Sequence, residues 1–382
     1  MRYIFKRLLI FIPTFLAVTM IAFFMRQLAP GDPIDFAVQG GYQSEYTTTA
    51  KQYRQDYILK AQEMKMDSPT FYFSILSAAH PSGYQRIIFP EEKKQADAEM
   101  ALNNASWKYF IPSFRWNGLK NQYHQWLKNV LKLDFGKSYI TSELVTSRIQ
   151  SALRWTLTIN GIAILLAFGI SIWLGVWLAT TDRSWAKGMG SAGLYVLYSI
   201  PSFWTATMLV VFFTTAEYGQ WTDWFPTNGI GRLPAEAPFW NRFWETAGHL
   251  ILPIFCITYG AIAFITMQMR KAMETEMGQQ YIQAARARGF TERHIIWKEA
   301  FPNALFPMIT LFAMVIPLLF TGSVVIEVIF GIPGMGLLTL DAINADDWPI
   351  VYGVLVVVAL VTMLGSLIGD ILYAWFNPKV SF

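Results

Sequence analysis

The 382-residue chain has a single cysteine, Cys256, and four histidines that stand far apart, His80, His124, His249 and His294. One thiol rules out an intrachain disulfide and a thiolate metal cluster, and histidines this scattered lack the clustered spacing of metal ligands. Charge is scarce too. Only 15% of residues are charged, against about 25% in ordinary soluble domains. A net charge of +4 is too weak to point to nucleic acid. Apolar residues are abundant, at 54% of the chain, and the balance places the protein in a membrane.

Six segments are apolar and long enough to cross a bilayer, which takes about 20 helical residues. They are Leu8–Met25, Trp155–Thr181, Gly188–Ala216, Thr246–Met269, Asn303–Ile326 and Trp348–Gly369. Pro13, Pro201, Pro253, Pro307 and Pro317 interrupt them. A helix bundle tolerates such breaks when neighbours satisfy the freed backbone groups. Gly365 and Gly369 form a small-xxx-small step suited to close helix packing. The basic N-terminus resembles a signal peptide, but its apolar core exceeds the roughly 7–15 residues of a cleavable one and no small-x-small site follows. An uncleaved first span is expected.

Lys and Arg set the orientation. Arg2, Lys6 and Arg7 precede the first span, and Arg183 and Lys187 lie between the second and third. Arg270, Lys271, Arg286, Arg288, Arg293 and Lys298 lie between the fourth and fifth, and Lys379 ends the chain. With six spans all fall on one side, while the loop Gly331–Asp347 opposite has acids and no base. The expectation is an all-α polytopic membrane protein with both termini in the cytoplasm of a bacterium. Residues 1–28 are the N-terminus and first span. Residues 29–150 form a mixed extracytoplasmic domain, and 151–382 hold the other five spans. In the outer domain, Gln43–Met66 and Glu91–Asn104 read as polar helices. "TFYFSIL" and "KYFIPSFRW" read as short strands or aromatic runs, and "NQYHQWLKNVLKL" as an amphipathic helix with Tyr123, Trp126, Leu127 and Val130 on one stripe.

Several enzyme-like motifs lack their context. "FGKS" ends like a phosphate loop, but Leu131 stands where that loop needs glycine. "DFG" at Asp134–Gly136 has no HRD companion, and "GMGSAGL" is not GxSxG. The chain has no visible means of hydrolysing ATP. Glu327 closes the expected fifth span and Asp370 lies near the inner end of the sixth, both placed at the water interface by their terminal positions. A stand-alone secondary transporter or channel would want mid-span ionisable groups or an inverted repeat. An intramembrane enzyme would want a mid-span nucleophile and base. Neither is evident.

The stretch "QQYIQAARARGFTERHIIWKEAFPNALFPMIT" (Gln279–Thr310) favours a short helix up to Arg288. Gly289 can end it in a left-handed turn, and Thr291 can cap a second helix from Glu292 that leads to Pro302, with Asn303 opening the fifth span. Ala284 and Ala285 give a small face flanked by Arg286 and Arg288. The same pattern suits a plain basic loop obeying the charge rule, and chemistry alone leaves both readings open.

The residues also resemble a family. "QAARARG…EAFP" is similar to the EAA loop of ATP-binding-cassette (ABC) importer permeases: EAA, three residues, Gly, nine residues, I-x-L-P. Gln283, Ala284 and Ala285 take the EAA positions and Gly289 the glycine; Glu299, Phe301 and Pro302 take I, L and P. The departures are Gln for Glu, Glu for Ile and Phe for Leu. "YIQAARARGFTERHI" resembles the dipeptide/oligopeptide form. So do "RLLIFIPTF", "APGDP", "DFGKS" followed by "TLTI", "SIPSFW", "VIEVIFGIPGMGLLTLDAINADDWPIV" and "DILYAWFNPKV". The resemblance covers Met1–Pro33 and about Gln122–Phe382, and 34–121 is longer than usual there.

The resemblance implies a type I importer permease fold and no enzyme activity in this chain. It implies an ATPase-coupling loop at 270–302, carried by Gln283, Ala284, Ala285, Arg286, Arg288, Gly289, Glu299 and Pro302. Glu327, Phe330, Pro333, Gly334 and Gly336 would form an outer gate loop. The implied partners are a second homologous permease, two ABC ATPase subunits that bind the ATP and magnesium, an extracytoplasmic solute-binding protein and the lipid bilayer. The implied cargo is peptides or similar small solutes.

Overall fold

A computed structural model describes residues 2–28, 32, 34, 35, 38, 50–78, 89–102, 111–215, 222–226, 228–231, 233–234 and 236–376. The described chain is predominantly helical. Among the described residues, five helices are long and apolar enough to cross a membrane: Leu9–Leu28 within α1 (Arg2–Leu28), α5 (Val145–Thr180), α8 (Phe239–Met277), Glu292–Thr321, and Trp348–Ile371 within α15 (Trp348–Phe376). At 1.5 Å per residue the 39 residues of α8 reach about 58 Å, well beyond the ~30 Å hydrocarbon core.

The expected third span, Gly188–Ala216, is not one straight helix. It is α6 (Ser184–Ser199) and α7 (Ser202–Phe213), bent by 88°. The cause is Pro201. It drives Ile200 into an extended conformation (φ −80, ψ 121), and it has no N–H to continue the helix ladder. Tyr259 of α8 donates its hydroxyl to the freed Ile200 carbonyl at 2.8 Å. Among the described residues the count is therefore five spans, or six when the bent pair is taken as one.

The expected fifth span also ends early. Its helix begins as α10 (Glu292–His294), passes through a π-helical turn at Ile295–Ala300, and continues as α11 (Phe301–Val315) and α12 (Leu318–Thr321). Gly322 then takes φ +76 and turns the chain away. Glu327 falls on a separate short helix, α13 (Val324–Ile329), and α14 (Met335–Asn344) occupies most of what sequence marks as a loop.

The chain divides into two units. One comprises Leu16–Arg148 and Ile343–Val356. It contains α2 (Ala50–Glu63), β1 (Phe73–Ser77), α3 (Pro90–Leu102), β2 (Pro112–Trp116) and α4 (Gln122–Leu131). The two aromatic runs pair as antiparallel strands, Phe73 opposite Trp116 and Ile75 opposite Phe114. Asn121 caps α4 by accepting from His124 N at 2.8 Å. The α4 stripe turns Tyr123 and Val130 into the interior, where Tyr123 packs on Phe23 and Phe71 and its hydroxyl meets Thr19 at 2.9 Å. Parts of the predicted outer elements, at 43–49, 103–104 and 108–110, lie outside the described residues.

The other unit comprises Met1–Phe15, Ile149–Ala342 and Val357–Phe382. Its core joins α5, α8 and α11 through Phe168, Met269, Met273 and Met308. A Cβ at Gly175 would stand 2.6 Å from Met269 Cβ, so a side chain there would prevent the close approach of α5 and α8. Gly365 and Gly369 are buried on α15, and a Cβ at Gly369 would lie 2.9 Å from the Ala313 carbonyl oxygen.

Candidate functional site

The stretch after α8 folds as a short helix, a tight turn and a second helix. Gln280–Ala287 is α9, and Gly289 sits at φ +82 with Phe290 N bonding back to the Ala285 carbonyl at 3.3 Å. That is a left-handed helix stop of the kind glycine permits. Thr291 then caps α10, accepting from His294 N at 3.4 Å. Pro302 does not end the helix. A proline clashes with the carbonyl four residues back. The π turn just before it widens the coil, and Phe301 N bonds to the Ile296 carbonyl five residues earlier.

The residues expected to form a coupling loop divide by face. Gln283, Ala284, Arg288 and Gly289 are exposed. Ala285 is fully buried beside Ile282, Ile295 and Ala300, so the two alanines do not share one outward face. Arg286 is exposed. It pairs with Glu292 across the turn, Nε to Oε1 at 2.8 Å. The Arg288 guanidinium lies over the Phe290 ring at 5.2 Å. Glu299 is half-buried, with His294 Nε2 at 3.7 Å, and Pro302 is exposed. Tyr281 donates to Glu276 at 2.7 Å and accepts from Asn303 at 3.1 Å; burial, then the Glu276 bond, pushes its hydroxyl up to about 12. Beside it opens a cavity of about 910 Å³, bordered by Lys271, Tyr281 and Asn303.

Glu327 corrects the sequence expectation more sharply. It is 3% exposed and does not sit at a water interface. Thr156 of α5 donates its hydroxyl to Oε1 at 3.0 Å, and Ser323 N and Leu337 N donate at 3.3 and 3.0 Å. Thr156 in turn accepts from Met335 N at 2.8 Å. Gly322, Gly334 and Gly336 surround the carboxylate so closely that a Cβ on any of them would collide with it. Phe330 is buried and Pro333 is exposed. A buried carboxylate is tolerated only when hydrogen-bonded, and here three donors converge on it. Asp370 is half-buried on α15, one residue before the end of the apolar span Trp348–Ile371, as its sequence position implies. Thr156, Ser138 and Asp347 were not singled out by sequence reasoning. The signal available was that each lies inside a motif of the resemblance.

A family model described as "Binding-protein-dependent transport system inner membrane component" matches residues 171–382. The chain belongs to this family. This permease is 28% identical to the inner membrane ABC transporter permease protein YejB of Escherichia coli O157:H7, over 100% of this chain and 98% of that protein. It is 33% identical to the oligopeptide transport system permease protein AppB of Bacillus subtilis (strain 168), over 81% of this chain and 93% of that protein. It is 27% identical to the peptidoglycan transport system permease protein YejB of Agrobacterium fabrum, over 100% and 98%. The permease is thus a multi-pass inner-membrane subunit of a bacterial ABC importer, and ATP hydrolysis belongs to a separate subunit. Both proteins named YejB align along its whole length, whereas AppB matches 81% of it.

Proposed function

We propose that this permease imports peptide-bearing solutes, with α9 as its coupling helix to an ABC ATPase. The observation that carries the coupling role is the split face of α9. Gln283, Ala284 and Arg288 face outward, while Ile282 and Ala285 are locked into the core of the membrane helices. A push received on the outer face is passed to α5, α8 and α11 through a close-packed interior, and such interiors transmit strain. Gly289 supplies the turn that lets one short helix lie across the path of the next.

In this reading the transporter comprises this chain, a second homologous permease, two ABC ATPases that bind ATP and magnesium, and an extracytoplasmic solute-binding protein. The bent α6–α7 pair counts as one span, giving six, with both termini cytoplasmic. Clustered Arg and Lys on one set of loops supports that orientation. Residues 29–150 then lie outside, and their aromatic content suits contact with the binding protein or the second permease. The segment Glu327–Gly336 is the outer gate, and Gly365 and Gly369 set helix packing. The names of relatives, oligopeptide and peptidoglycan transport, support a cargo carrying peptide bonds.

The test is Gly289→Val. A positive φ is a genuine outlier for a β-branched residue, while space around Gly289 is open. Membrane insertion should survive and solute uptake should be lost. A Gly289→Val protein that still imports and still co-purifies with its ATPase would overturn the coupling assignment.

A further inference from the structure

A polar cavity of about 290 Å³ lies wholly within the unit that contains Leu16–Arg148. Its walls are the last turn of α1, the C-terminal end of α2, one side of α4 from Gln122 to Asn129, the loop Asp134–Tyr139 and the first turns of α15. Three cations border it: Arg26, Lys65 and Lys137. Two acids, Glu63 and Asp134, border it as well. Glu63 is held by Lys60 at 2.7 Å, Asp134 accepts from Gly136 N at 3.0 Å, and Lys65 reaches Gln125 at 3.3 Å. Among the described residues, the Arg26 and Lys137 side chains have no hydrogen-bond or ion-pair partner. Arg26 is half-buried, and a guanidinium so placed favours an anion with paired oxygens.

The depth of the cavity narrows the choice of anion. Arg26 ends one apolar helix, and Pro349, Tyr352 and Gly353 begin another. Helix ends of this kind lie where hydrocarbon gives way to head groups, the level that also enriches Trp and Tyr. Trp126, Tyr139 and Tyr352 supply such rings here.

The chain also bends to shape this wall. Both α2 and α4 stop in the same six-to-one cap, with Met66 N on the Ala61 carbonyl and Asp134 N on the Asn129 carbonyl. Glycine usually takes the left-handed position of that cap. Here it is Lys65 at φ 55 and Leu133 at φ 58. At Lys65 a strained backbone thus puts a cation on the rim. The volume is at the small end for ligand pockets, enough for a head group and too little for a peptide of several residues.

The geometry points to a zwitterionic phospholipid head group as the occupant, its phosphate on Arg26 and Lys137 and its ammonium toward Glu63 and Asp134. Lys65 closes the phosphate side. This site rests on the protein being a membrane protein and not on its transport cycle, so its test needs no transport measurement.

The experiment purifies the full chain in mild detergent and counts retained phosphatidylethanolamine by native mass spectrometry. It compares wild type with the double variant Arg26→Gln/Lys137→Gln and with Lys65→Gly. Each cation removed should lower retention about fivefold, the weight of one basic residue near a membrane surface. Lys65→Gly, which relieves the left-handed strain, should melt higher and still hold less lipid. If the double variant fails to fold, Lys65→Gly carries the test alone. Soluble glycerophosphoethanolamine should displace the lipid, and inorganic phosphate at the same concentration should not. Equal retention in all folded proteins, or displacement by inorganic phosphate alone, would overturn the proposal.

Discussion

Ser138 and Asp347, 209 positions apart in sequence, meet in a buried hydrogen bond in which the serine hydroxyl donates to Oδ2. The other carboxylate oxygen accepts from Tyr139 N at 3.0 Å. Both residues are 3% exposed. Asp347 therefore ties the loop after α4 to the start of α15. It also accounts for two sequence stretches at once, the false phosphate loop "DFGKS" and the acidic "DDWPIV".

Asp347→Ala would leave the buried Ser138 hydroxyl and the part-buried Tyr139 N–H without their acceptors, and an unsatisfied buried group costs about 1–3 kcal/mol. Thermal unfolding of the purified permease should show a clear loss, with Ser138→Ala costing less. A double-mutant cycle should return a coupling on the order of 1 kcal/mol between them. Additive losses would mean the bond contributes nothing.

The glycine cradle of Glu327 predicts a graded series. A Cβ at Gly336 would stand 2.7 Å from Val324 Cα, a backbone atom that cannot swing aside. Gly336→Ala should destabilise by about 1–3 kcal/mol, as overpacking does. Gly161→Ala, on α5 with open space around it, should be neutral or slightly stabilising. Melting temperatures of the two variants side by side decide the matter.

Ala284 and Ala285 separate contact from packing. Ala285→Leu forces a large side chain into a filled core and should lower the stability of the isolated permease by roughly 1–3 kcal/mol. Ala284→Leu, on the exposed face, should leave the isolated chain unchanged and weaken co-purification of the ATPase. If Ala284→Leu retains its ATPase fully, the outward face of α9 is not the docking face.

Gly369 predicts a helix-packing defect. With a Cβ only 2.9 Å from the Ala313 carbonyl and 3.1 Å from the Ala313 Cβ, Gly369→Leu must push α15 away from α11. Protease resistance of the purified chain should fall, whereas Leu364→Ala, at a half-exposed neighbour, should change it little.

Much of the helical layout was legible because local chemistry and periodicity agreed. The glycine turn at 289, the Thr291 cap and the Tyr123–Val130 stripe each rest on one or two residues whose preference the fold keeps. The 88° bend at Pro201 was not legible. Proline in a membrane helix is either absorbed or decisive, depending on what receives the freed carbonyl, and here that is Tyr259, 59 positions away. Glu327 was misplaced for a related reason. Its helix has six residues, too few for an apolar face to declare itself, and its partners come from α5 and from the turn into α14. Ala284 and Ala285 are chemically alike, so no pattern could say which one faced inward. The Arg286–Glu292 pair spans a turn, which a helix-spacing rule does not reach.

The π turn at Ile295–Ala300 has one more consequence. A coil closed by five-residue steps carries an extra residue relative to an α-helix, and one residue is worth about 100° of rotation. The heading of α9 relative to the membrane helix beyond Pro302 is therefore set by a single inserted residue. Deleting one residue between Ile295 and Ala300 would re-aim the loop like a misindexed gear, leaving every residue on the exposed face of α9 unchanged in identity and wrong in direction.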